Sequence, residues 1–76
     1  MNNHSEYIER KPTVMLGKPV IKGTRITVEL IIRKFAGGYT VEKILEAYPQ
    51  LNVAQLKAVF EYAADIIANE ELIEAA

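Results

Sequence analysis

Apolar positions recur at helical spacing through the last two thirds of the chain. Val28, Ile31, Ile32 and Phe35 fall at i, i+3, i+4 and i+7, drawing one stripe along a first helix. Thr27 precedes it as an N-cap, with Glu29 in its first turn and Arg33 and Lys34 in its last, the arrangement the helix dipole favours. Gly37-Gly38 ends it. Thr40 opens a second helix, where Val41, Ile44, Leu45 and Tyr48 repeat the spacing until Pro49 stops it. Asn52 caps a third helix, and Gln55, three residues on, is placed to reach back in a capping box. Its buried stripe reads as Val53, Leu56, Phe60, Ala63 and Ile67, with Val59 alongside. Gln55, Lys57, Glu61, Tyr62 and Asp65 then make the solvent face.

The first third has a different rhythm. Tyr7-Ile8-Glu9, Val14-Met15-Leu16 and Pro19-Val20-Ile21 are short apolar snippets broken by Lys11-Pro12 and Gly17-Lys18. They predict two or three short strands, with Pro19 at a strand start or edge. Gly17 and Gly23 supply turn conformations that a side chain disfavours, and Thr24-Arg25 leads the chain into the first helix. The pattern divides the chain into a flexible N-terminus over residues 1–6, one domain over 7–68 and an acidic extension over 69–76. The extension either continues the third helix or forms a tail that seeks a partner through Leu72 and Ile73. The fold class is mainly α: a three-helix helix-turn-helix bundle preceded by two or three short β-strands.

Composition limits what such a domain does. With 76 residues, the chain buries only about 60% of the surface its unfolded form exposes, so a second copy would help it and a homodimer is expected. There are no cysteines, which removes disulfides and thiol chemistry and fits a reducing cytoplasm. No apolar run approaches the roughly 18 residues that cross a bilayer, and nothing at the start resembles a signal peptide. A cytoplasmic protein without a membrane role is the expectation.

The net charge is −1, but it is unevenly spread. Residues 10–34 carry seven cations (Arg10, Lys11, Lys18, Lys22, Arg25, Arg33, Lys34) against Glu29 alone, while residues 35–76 carry Lys43 and Lys57 against seven acids. That asymmetry points either to an anionic partner for the first half and a basic one for the second, or to attraction between the halves.

Catalysis is hard to assemble from these residues. The single serine, Ser5, and the single histidine, His4, sit together in the segment expected to be flexible. The acids at 42, 46, 61 and 65 recur at i, i+4 as solvated faces, and no glycine loop followed by Lys-Ser/Thr is present. No catalytic residue, metal site or cofactor is assigned. In a helix-turn-helix the last helix enters the major groove by its N-terminal residues, which offers Gln55 to an adenine edge and Lys57 to guanine or a phosphate. Lys18, Lys22, Thr40 and Lys43 supply further backbone contacts. Against this, the third helix opens on one cation and two alanines, and Gln55 serves equally as a cap partner. Arg25 reads as a clamp on a downstream carboxylate, tying the arm to the bundle, with a phosphate or partner contact as the alternative.

The run Gly17-Lys18-Pro19-Val20-Ile21-Lys22-Gly23-Thr24-Arg25-Ile26, followed by Val28, resembles the signature of domain-of-unknown-function family 433. Gly38, Tyr48-Pro49-Gln50-Leu51 and Tyr62-Ala63 resemble its further elements, so the likeness spans roughly residues 7–66. Leu16 stands where the family often has glycine, and Lys22 where arginine is common. The resemblance implies a homeodomain-like helix-turn-helix. It also implies an antitoxin similar to the VapB type, in a type II toxin-antitoxin pair, that binds its own promoter and occludes a PIN-like ribonuclease toxin. A non-enzymatic protein-interaction module without DNA binding is the alternative expectation.

Overall fold

The computed structural model describes residues 4–75, with side chains as far as Asn69. Strands β1 (Ile8–Glu9) and β2 (Val20–Ile21) pair antiparallel, Ile8 opposite Ile21 and Glu9 opposite Val20. Helices α1 (Val28–Ala36), α2 (Val41–Ala47) and α3 (Val53–Ala75) follow. The chain is thus mainly helical, with a short two-stranded sheet ahead of three helices.

A ladder of two residues per strand has little stability of its own. It holds because β2 is bonded on both edges and its side chains are fully buried. On one edge Lys22 N–H donates to Tyr7 O at 2.7 Å. On the other, Ile21 N–H donates to Ile26 O at 2.9 Å and Val28 N–H donates to Pro19 O at 3.0 Å. Pro19 loses no ladder bond there, since it needs only its carbonyl. Residues 22–25 therefore form a tight loop between two hydrogen-bonded stretches of one chain. The loop turns on Gly23, whose φ of 81° lies in the left-handed region. Thr24 closes it: its hydroxyl donates to Ile21 O at 2.7 Å and accepts from Ile26 N–H at 3.0 Å.

Of the two or three strands expected, two form, and the candidate at Val14-Met15-Leu16 is not one of them. Met15–Gly17 is instead a 3-10 turn in which Met15, Leu16 and Gly17 all have positive φ, at 49°, 58° and 80°. Consecutive left-handed residues reverse the chain and leave no ladder edge. Leu16, at a position where glycine relieves that conformation, bears a backbone cost of about 1–2 kcal/mol and is 93% exposed.

The helix starts follow the sequence reading. Thr27 Oγ1 accepts from Leu30 N–H at 3.0 Å, and Thr40 Oγ1 accepts from Lys43 N–H at 3.1 Å. Asn52 and Gln55 form the reciprocal capping box, at 2.9 and 2.7 Å. The core gathers Ile8, Ile21 and Ile26 from the arm, Val28 and Ile31 from α1, Ile44 from α2, and Leu51, Leu56 and Val59 around α3.

On α3 and α2 the burial differs from the expected stripes. Val59, assigned to the flank, is the fully buried centre, with Leu56 and Ala58 buried beside it and Tyr62 packed on the core. Val53, Phe60 and Ile67 are 52%, 43% and 57% exposed. The helix is turned because α1 and the arm both pack on its Leu56–Val59–Tyr62 side. Val41 of α2, also placed in a core stripe, stays exposed for want of a neighbour on that side.

The flexible segment expected over residues 1–6 is ordered at 4–6. His4–Glu6 makes a 3-10 turn on α3, where His4 Nε2 lies 2.9 Å from Asp65 Oδ2 and the His4 ring meets Tyr62 edge-on at 5.3 Å. At the other end, residues 69–75 continue α3 as helix.

Candidate interaction surface

The residues assigned to DNA contact do not gather into one reading head. Lys18 Nζ lies 3.5 Å from Glu29 Oε1, an acid that also accepts from Arg33 Nε at 2.9 Å. The Arg33 guanidinium, with Lys18 beside it, holds the Glu29 carboxyl below the usual carboxylate range. Lys22 Nζ donates to the Ser5 carbonyl at 3.2 Å, so this lysine ties the N-terminal turn to the arm. The Gln55 side chain is engaged in the capping box and Thr40 caps α2. Lys43 and Lys57 remain exposed, and neither forms an ion pair among the described residues.

Arg25 corrects the clamp reading. It is exposed and forms no ion pair among the described residues, because the Thr24 loop carries it away from the acids of the helices. It lines an open cleft with Lys11, Glu9, Ile26, Leu30 and Gln50, so it sits where the arm meets the turn before α3. Glu9 is occupied there: it accepts from Gly23 N–H at 3.2 Å and lies 3.8 Å from Lys11 Nζ. Gly17, the remaining motif residue, is a positive-φ turn whose carbonyl accepts from Arg10 Nε at 3.0 Å.

The surface that the sequence reading assigned elsewhere is the outer side of α3. Val53, Phe60 and Ile67 are spaced by seven, so each is rotated only about 20° from the last and all three share one side. Ala64 is exposed in the same row, and Lys57 is its one charge. Phe60 is steadied by an edge-on contact with Phe35 of α1, centroids 5.0 Å apart. Past Asp65 the helix leaves the body: Ile66, Ile67, Ala68 and Asn69 are all exposed. The signal that exposes this row was present in the sequence. Apolar residues of α3 span an arc wider than one small core can cover. Leu72 and Ile73 lie outside the residues whose side chains are described. Among the described residues no three His, Asp or Glu side chains converge on a metal-sized site, and no helix is long and apolar enough to cross a membrane.

Comparison with known proteins turns on the segment from β1 to the middle of α3. Residues 8–63 match the model of the family described as protein of unknown function (DUF433). The chain belongs to the DUF433 family. A similar relative is the uncharacterized protein y4eO of Sinorhizobium fredii, 34% identical over 58 residues. That match covers 76% of this chain but 26% of the relative, so the chain spans about a quarter of that protein's length. Among solved structures, the crystal structure of a DUF433 member from Anabaena variabilis superposes with a TM-score of 0.76 at 26% identity, covering 91% of this chain and 68% of that one.

The DUF433 match takes in the arm, the Gly23-Thr24 loop, α1, α2 and the buried half of α3. It stops short of Ala64, Ile67 and the projecting end of α3.

Proposed function

We propose that the protein is the antitoxin of a toxin–antitoxin pair and works by holding another protein, without chemistry of its own. The observation that carries this reading is the projecting end of α3, where exposed Ile66 is followed in sequence by Glu70, Glu71, Leu72, Ile73 and Glu74. A helix that leaves its own domain with apolar residues uncovered and an excess of acids suits a groove on a basic protein. A PIN-like ribonuclease, which handles an anionic substrate, offers such a surface. Where an adjacent reading frame encodes a PIN-like ribonuclease, co-expression with it is expected to give a co-purifying, inactive complex. Deleting residues 69–76 should release the ribonuclease and restore its activity. An inhibited complex that survives the deletion removes the extension from the contact.

Promoter binding is the second part of this reading, favoured by exposed Lys43 on α2 and Lys57 on α3. With few phosphates neutralised, affinity rests on a handful of ion contacts and falls steeply with salt. In a gel shift with the upstream DNA at low salt, changing both lysines to alanine should weaken binding about tenfold. Unchanged affinity would rule these helices out as the DNA-contacting face.

A further inference from the structure

We infer that two copies of the chain pair antiparallel along α3, through the exposed row Val53, Phe60 and Ile67. This names the surface behind the homodimer and rests on the proposed function only in sharing α3 with it. The row is symmetric about its centre, since Val53 and Ile67 each lie seven residues from Phe60. An antiparallel two-fold pairing therefore sets Phe60 against the partner copy's equivalent residue and each Val53 against an isoleucine. The seven-residue spacing keeps the row facing its neighbour along two helical helices that supercoil gently. Apart from Lys57 the row is apolar, and Lys57 lies at its margin.

Charge decides the direction. A parallel pair would bring together two ends that each carry Glu70, Glu71 and Glu74. The antiparallel pair separates them. Centred on Phe60, it puts position 70 of one copy level with position 50 of the other, and Gln50 lines a cleft that holds two cations, Lys11 and Arg25, against Glu9 alone. The acidic end cannot reach that cleft in its own chain. Gln50 stands just before α3, and a 23-residue helix carries the acids roughly 30 Å away. A second copy brings them back. The two halves of opposite charge thereby meet across the pair, and Arg25, which forms no ion pair among the described residues, gains carboxylates beside it.

The chain has no cysteine, which makes the register directly readable by cross-linking. Light scattering across a micromolar concentration series is expected to show a monomer–dimer equilibrium. Ile67→Glu, at an exposed site, should raise the dissociation constant at least tenfold while the helical circular dichroism stays. Mixing Val53→Cys with Ile67→Cys under oxidation should give a cross-linked dimer, whereas neither variant alone should cross-link efficiently. A monomer at every concentration, a dimer indifferent to Ile67→Glu, or efficient self-linking of Ile67→Cys would each overturn the pairing. Deleting residues 69–76 keeps the three contact positions and should leave a dimer. A chain that captures the ribonuclease yet never dimerises thus overturns this inference alone, and a dimer that captures nothing overturns the proposed function alone.

Discussion

Replacing Ile31 with alanine is expected to lower the melting temperature by roughly 12–24 °C, the shift that about 3 kcal/mol produces in a domain of this size. Ile31 is fully buried on α1, in the cluster where the arm residues Ile8, Ile21 and Ile26 meet Ile44 of α2 and Val59 of α3. Truncation removes three carbons and leaves a void that every element of the fold borders. The arm is two short strands and cannot collapse into the gap without breaking the ladder at Ile21. Circular dichroism melting reads the effect, and Ile31→Val, which removes one carbon, should cost about 1 kcal/mol by the same reasoning. An alanine variant melting within 3 °C of the parent, on the order of half a kcal/mol, would mean that the core closes around the loss. In that case the cluster is not the main support of the fold.

Thr24→Val should cost about 1–2 kcal/mol, although valine matches threonine in shape. The Thr24 hydroxyl donates to Ile21 O and accepts from Ile26 N–H, joining the two sides of the loop across Gly23. Both partners belong to buried residues, and valine leaves the Ile26 N–H without its acceptor, while Ile21 O keeps only the bond from Thr24 N–H at 3.0 Å. Thr24→Ser keeps both bonds and should stay within about 1 kcal/mol. The urea midpoints of the three proteins separate the outcomes. A valine variant as stable as the parent would show that the hydroxyl bridge adds nothing to the loop.

These two sites also show which parts of the fold were readable in advance. Thr27, Thr40 and the Asn52–Gln55 pair cap the helices as their sequence positions require, since a cap needs only the residues within one turn. β1 and β2 fall within the apolar snippets that announced them. The Val14-Met15-Leu16 snippet misled because its composition suits a strand while its neighbours Pro12 and Gly17 favour a reversal. His4 misled for another reason: its partner Asp65 is 61 residues away. No local pattern reports a contact of that span. Lys18 and Lys22 looked like cations awaiting a partner, and the fold engages both, with Glu29 and with the Ser5 carbonyl.

The sequence by itself determined where the three helices begin and where the first two end, because capping side chains, glycines and prolines act on the backbone within a few residues. It also determined the family, through the Gly17–Ile26 run. Only the tertiary structure decided which side of α3 is buried. The apolar arc of that helix is wider than one core can cover, and periodicity alone cannot choose which part of it is buried. The choice fell to α1 and the arm, which together cover the Leu56–Val59–Tyr62 side and leave Val53, Phe60 and Ile67 in solvent. It also decided that Arg25, which forms no ion pair among the described residues, lines the Gln50 cleft beside Glu9 and Lys11.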